Sequence, residues 1–281
     1  MLWKGRRESS NVDDRRGMSG GQMVAGGGVL GVIALLVNFF LSGGDVQNLP
    51  QALPQGNGTE MTSEQKAADD EQASFVKVVL ADTEDVWDQI FSEHGKKYSK
   101  PTLVLFRNST ESGCGYASAA TGPFYCPADQ DVYIDLGFAE ELKNRFQASG
   151  DFAMAYVVAH EVGHHIQNLM GTSEKMERLR SQLDETAFNK YSVKLELQAD
   201  FYAGVWAHYD QKMKNVIQSK DIDDALNAAN AIGDDRLQSE SQGHVTPDAF
   251  THGTSAQRMY WFKKGFTTGD INQGDTFSSD Q

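Results

Sequence analysis

Residues 155–167 read AYVVAHEVGHHIQ, and they place His160, Glu161 and His164 in the order H-E-x-x-H. On a helix four residues turn through about 400°, so His160 and His164 stand about 40° apart, one turn above the other. Two imidazoles in that relation can hold one zinc ion, which takes ring nitrogens at about 2.0–2.1 Å. Glu161 lies one step round the helix. It can touch water beside such an ion without binding the ion, which is the place of a general base. His165 is about 140° from His160 and cannot join the pair, so it reads as a packing or polar neighbour.

Two histidines leave the site incomplete, because a catalytic zinc wants three protein ligands and one open position. LELQAD, residues 195–200, offers Glu196 and Asp200 at i, i+4 on one helix face. Glu196 is the expected third ligand. Asp200 is expected to accept the other ring N–H of a ligand histidine and so fix its tautomer. The swap, with Asp200 as ligand and Glu196 in support, remains open. Leu195, Leu197, Phe201 and Tyr202 surround the pair, an apolar setting in which carboxylates need partners. Small residues at Ala199, Ala203 and Gly204 would let two helices approach closely.

The elements that must carry these residues are legible from periodicity. Residues 151–170 predict one helix, with Asp151 as N-cap and Gly171 as terminator. Residues 191–210 predict a second amphipathic helix, and 172–184 a charged, exposed one. Helices are also expected at 73–95, 139–147, 221–237 and 253–266. TLVLF, residues 102–106, predicts a short buried strand. In DVYIDL, residues 131–136, Val132, Ile134 and Leu136 alternate with Tyr133 and Asp135, which predicts a strand with two different faces. Strands come early and helices late, so the fold class is α+β, with a small mixed sheet and a helix-rich C-terminal half.

The formal charge of −14 argues against nucleic acid as a partner. Five basic residues, Lys4, Arg6, Arg7, Arg15 and Arg16, nevertheless crowd the first sixteen positions. Residues 17–44 then contain no charged side chain, and Val29 to Leu41 is strongly apolar. About 20 apolar residues span a bilayer core, so a transmembrane helix is expected over residues 22–42. The competing reading is a cleaved signal peptide, but no small-residue cleavage site follows closely. Basic residues before the segment place residues 1–21 in the cytoplasm and everything after it outside. Residues 43–70, rich in Gly, Pro, Gln and Asn, read as a flexible spacer. Residues 71–270 read as one domain and 271–281 as a tail. In an oxidising compartment Cys114 and Cys126 are candidates for one disulfide; two buried thiols are the alternative.

H-E-x-x-H followed by E-x-x-x-D resembles the glutamate-zincin metallopeptidases. The longer runs GPFYCPADQDVYIDL, LELQADFYAGVWA, AIGDD and PDAFTHGTSAQR, with WKGRRESSNVDDRRG near the N-terminus, are similar to the bacterial neutral zinc metallopeptidase family of the YpfJ type. The resemblance implies a zincin-like domain anchored in the bacterial cytoplasmic membrane by one helix, with Zn²⁺ as cofactor and a protein or peptide as substrate. It implies ligands His160, His164 and Glu196 and a general base at Glu161. His252 is the candidate oxyanion donor and Arg258 a candidate substrate contact. The strand holding Tyr133 would form an edge that binds an extended peptide. A non-enzymatic envelope module on the same scaffold is the alternative, against which Glu161 speaks: a structural site needs no base. His94, His208 and His244 have no motif around them.

Overall fold

In the computed structural model, residues 1–17, 62–118, 121–144 and 150–279 are described. The expected transmembrane helix, 22–42, lies outside them. Among the described residues no helix is long and apolar enough to cross a membrane.

The four-stranded sheet grows around β2, Leu103–Phe106, whose residues are all fully buried. A strand covered on both faces needs an unbroken apolar run, which LVLF provides. β2 pairs in parallel with β1, Val12–Asp14, on one side and with β6, Asp131–Asp135, on the other. β5, Phe124–Cys126, closes the sheet antiparallel to β6, giving the order β1-β2-β6-β5. The alternation in β6 follows the prediction. Val132 and Ile134 enter the main core, while Tyr133 joins Val104, Phe106 and Cys126 in a smaller cluster. A hairpin of β3, Ser109–Ser112, and β4, Gly115–Ser118, stands apart. A disulfide from Cys114 in its turn to Cys126 ties it to β5.

Two expectations change here. β6 is an inner strand, and the edge is β5. The sequence hid β5 because it is three residues long and sits between Pro123 and Pro127. Residues 1–17 are not a separate segment either. β1 belongs to the sheet, Leu2 donates its N–H to the Val216 carbonyl, and Trp3 packs edge-on against Phe75 at 5.4 Å.

The helices are α1, Ser63–Glu93; α2, Phe138–Asn144; α3, Asp151–Leu169; α4, Thr172–Arg180; α5, Glu185–Lys214; α6, Ser219–Ala231; α7, Asp234–Gln242; and α8, Ser255–Thr268. α1 starts eight residues before the expected domain boundary at 71. Thr62 and Gln65 form a reciprocal capping box there, each side chain bonding the other's backbone N–H. α3 is buried from Phe152 to Gly163, as its apolar run demands. Its N-cap is Gly150 rather than Asp151, and Gly171 ends it in the left-handed region at φ 82°. The expected helix over 221–237 breaks into α6 and α7 at Gly233. A Cβ there would lie 2.4 Å from the Ser255 nitrogen at the start of α8.

α5 is the axis of the helical half. It meets α3 where Gly163 faces Ala199; a Cβ on Gly163 would come within 2.9 Å of the Ala199 carbonyl oxygen. It meets α8 where Gly204 faces Phe262 and Gly265 faces Phe201, contacts too close for any side chain. The small residues therefore work as expected, but Gly204 serves a helix other than the one bearing the histidines. The C-terminal residues pack too. Thr276 is fully buried and its hydroxyl donates to the Lys194 carbonyl at 2.5 Å, so residues 271–279 are a strap on α5 and not a free tail.

Candidate metal centre

The close crossing of α3 and α5 brings the two half-motifs together. His160 Nε2 lies 3.1 Å from Glu196 Oε2, and His164 Nε2 lies 3.4 Å from Glu196 Oε1. One ligand atom from each of His160, His164 and Glu196 falls within 4.8 Å of the others. The donor set, two imidazoles and a carboxylate, suits zinc.

Both imidazoles are held in the tautomer a cation needs. His160 Nδ1–H donates to Asp200 Oδ1 at 2.8 Å, which leaves Nε2 facing Glu196. His164 Nδ1–H donates to Gln167 Oε1 at 2.8 Å, with the same result. Gln167 is in turn fixed by donating to the Leu195 carbonyl on α5 at 2.6 Å. Gln167 stands at i, i+3 from His164, a spacing that by itself does not reveal this role.

Asp200 is fully buried and its oxygens are engaged. They accept from Tyr156 at 2.5 Å, from His160, and from Arg258 Nε at 2.8 Å and Nη2 at 3.0 Å. Glu196, not Asp200, thus stands in the ligand cluster. Arg258 is 2% exposed and bound to Asp200 and to the Tyr156 hydroxyl. It supports the centre from beneath and also lines the cleft. Its engagement with Asp200 and Tyr156 was not legible in the sequence, which does not show what an arginine near a site is bonded to.

The electrostatics ask for a positive charge at the centre. Burial opposes charge on His160, but Asp200 and Glu196 outweigh it and raise its pKa to about 10. Burial is likewise overcome at His164, which Glu196 raises. Burial would raise Glu196, yet His164 and His160 hold it well below the usual carboxylate range. Asp200, also buried, is drawn down to about 2 by Arg258 and His160. A cation among these groups takes the place of protons that the acids otherwise retain on the imidazoles.

The cluster opens into a cleft of ≈ 530 Å³. Glu161 lines it beside His160, and Phe124 and Tyr125 of β5 form a wall. No strand lies beyond β5 among the described residues. His252 reaches the cleft with a half-exposed ring, its Nδ1 3.2 Å from Asp234 Oδ1. Asp234 Oδ2 also accepts the backbone N–H groups of Thr251, His252 and Gly253 at 2.7, 2.6 and 3.0 Å. Asp234 therefore shapes the loop and holds the ring. Nothing in the spacing of residues 234 and 252 announces this, though AIGDD was among the singled-out runs.

Tyr133 does not reach the cleft. It is 2% exposed, stacked on Phe124 at 4.7 Å, and its hydroxyl donates to Asp129. The same alternation that puts Val132 and Ile134 into the main core turns Tyr133 to the other face. His165 is the packing neighbour expected. Its Nε2–H donates to the Ser99 carbonyl at 2.6 Å, its Nδ1 accepts from the Tyr125 hydroxyl at 3.2 Å, and burial lowers its pKa. It thereby pins the wall strand to α3. His94 and His208 bond to backbone carbonyls of Ile90 and Phe266 and take no part.

Comparison with known proteins agrees with this geometry. YpfJ of Escherichia coli strain K12, an uncharacterized protein, is 48% identical over 286 residues, 99% of each chain. An uncharacterized protein of Mycobacterium tuberculosis strain H37Rv is 42% identical over 215 residues, 73% of this chain and 72% of that one. No solved structure matches the chain. The family profile described as "Putative neutral zinc metallopeptidase" matches residues 1–277. With a His-His-Glu cluster at its centre and that match along nearly its whole length, the chain belongs to this zinc metallopeptidase family.

Proposed function

We propose that the chain is a zinc-dependent metallopeptidase that hydrolyses peptide bonds in proteins or peptides. The observation that carries this reading is the convergence of His160, His164 and Glu196, with Glu161 beside them on the floor of an open cleft. When bound, zinc supplies a Lewis acid that polarises a carbonyl and lowers the pKa of water towards about 7. Glu161 takes the proton of the attacking water and returns it to the leaving amine. His252, held by Asp234, donates a hydrogen bond to the oxygen that gains negative charge. The substrate lies extended along β5, adding its backbone to the open side of that strand. The zincin-like architecture is part of the same proposal, supported by the active helix lying against a sheet whose edge strand is antiparallel.

The protein is further proposed to act outside the cytoplasm, attached to the membrane through its apolar stretch between residues 17 and 44. The Cys114–Cys126 disulfide supports an oxidising compartment.

The test is Glu161→Gln in the full chain, assayed on an unfolded protein with zinc content measured in parallel. Hydrolysis should fall by about 10²–10⁴-fold, the usual worth of a general base, with zinc unchanged. Unchanged turnover would reject Glu161 as the base. A zinc-loaded wild type that cleaves nothing would favour the binding-module reading.

A further inference from the structure

We infer that residues 1–17 and the metal domain lie on the same, outer side of the membrane, so that the chain does not pass once across the bilayer between them. The inference rests on the proposed membrane attachment and is independent of the hydrolytic chemistry.

The first observation is the sheet. β1 precedes the apolar stretch and β2 follows it, yet they are hydrogen-bonded in register, Val12 to Leu103, Asp13 to Val104 and Asp14 to Leu105. One crossing between residues 17 and 62 would put two paired strands on opposite faces of a bilayer. It would also turn β2, fully buried and wholly apolar, into an exposed edge, the kind of edge that soluble folds avoid.

The second observation concerns charge. The basic residues that would hold the N-terminus in the cytoplasm are already engaged in the domain. Lys4 pairs with Glu71 at 2.5 Å, and Arg6 with Asp82 at 2.5 Å. Arg7 pairs with Glu84 at 3.0 Å and Asp85 at 2.6 Å. Arg15 pairs with Asp13 at 2.7 Å and also donates to Thr110 and the Glu111 carbonyl. Arg16 pairs with Asp14 at 2.7 Å and Asp69 at 2.6 Å. Asp82, Glu84 and Asp69 are all buried, at 2%, 1% and 7% exposure. Each keeps one cation of the domain, Lys214 for Asp82, Lys100 for Glu84 and Arg107 for Asp69, but without the arm each would lose its other partner arginine. These arginines complete a fold rather than act as a topological signal.

The two ends that flank the stretch are also near each other. Arg16 is bonded to Asp69, which is about two helical turns, roughly 10 Å, from the start of α1. The chain leaves and rejoins the domain at one end of it.

The test uses the full chain in wall-stripped cells with a membrane-impermeant maleimide. Both native cysteines are in the disulfide, so the reagent reports introduced thiols. Ser10→Cys and Glu8→Cys probe exposed positions of the arm, and Glu177→Cys probes an exposed position of the domain. All three should be labelled in intact cells to the same extent, on protein that sediments with membranes. Labelling of the domain thiol in intact cells but of both arm thiols only after lysis would overturn the inference. So would protection of all three until lysis, or recovery of the protein in the soluble fraction. Two arm positions guard against one substitution disturbing the fold.

Discussion

Two buried polar clusters hang on the same helix, α5, and behave in opposite ways. Near its middle Asp200 meets Tyr156, His160 and Arg258, and its oxygens are fully used. About 15 Å further along the helix, Asp210 meets Asp82, Lys214 and Arg6. Neither Asp210 oxygen finds a hydrogen-bond partner, although Lys214 Nζ is 3.5 Å away, and Asp82 Oδ2 is also unbonded. Both aspartates are fully buried. Asp200 is drawn down to about 2 against its burial, while burial and then the charge of Asp82 push Asp210 up to about 7. Burial alone does not set the state of an acid. One acid facing one bidentate arginine becomes a fixed carboxylate; where two acids share the same cations and Asp82 takes the close contacts, Asp210 is left to favour its protonated form. The first arrangement suits a centre that must hold an imidazole rigidly, the second an arm that is merely docked.

The strongest way to break this contrast is Arg258→Met. It should take the bidentate cation from buried Asp200, leaving it only His160 and Tyr156, and cost about 3–5 kcal/mol, read by urea denaturation. A loss below about 1 kcal/mol, the size expected of a surface pair, would show that the two clusters are equivalent after all. Zinc should come next. At 100 times its dissociation constant it should add about 2.7 kcal/mol of stability, and the gain should vanish in Glu196→Ala. Persistence of the full gain in that variant would remove Glu196 from the ligand set. Asp200→Asn should weaken zinc by about 10–100-fold, the usual effect of losing a ligand's supporting carboxylate. Competition against a chelator would measure it, and unchanged affinity would make Asp200 a packing residue only.

The smallest expected effect has the opposite sign. The folded-state pKa of Asp210 is raised from 3.8 to about 7, so between those values the folded protein holds a proton that the unfolded chain releases. Stability contributed by this group is therefore present at about pH 4 and is lost as pH rises through about 7. Asp210→Asn should remove that dependence and stabilise the protein at pH 8 by on the order of 1 kcal/mol, with little change near pH 4.5. Destabilisation at pH 8 would mean that Lys214 and Arg6 fully satisfy the acid pair.

Much of the centre could be read from the chain because helical period fixes which residues share a face. His160 with His164, Glu196 with Asp200, and the exclusion of His165 all follow from spacing within one helix. The strand faces of β6 followed in the same way from period two. Relations between segments carry no such period. Asp234 opens α7, and His252 lies eighteen residues later in the loop before α8. β1 and β5 are three residues each, too short for a pattern to show. Tyr133 was assigned to an edge because the true edge was hidden beside it.

By itself, then, the sequence determined the α+β class, the two half-sites and the residue types that can hold a cation, since these depend on local composition and repeat. Tertiary structure alone decided which carboxylate joins the cluster, because only the approach of α3, α5 and α8 shows that Arg258 and Tyr156 occupy Asp200 and leave Glu196 beside the two histidines. It also decided that the arginines at the N-terminus belong inside the domain. A charge near an apolar stretch looks the same in sequence whether it faces a membrane or a buried aspartate, and the difference lies in the partner, supplied from more than fifty residues away.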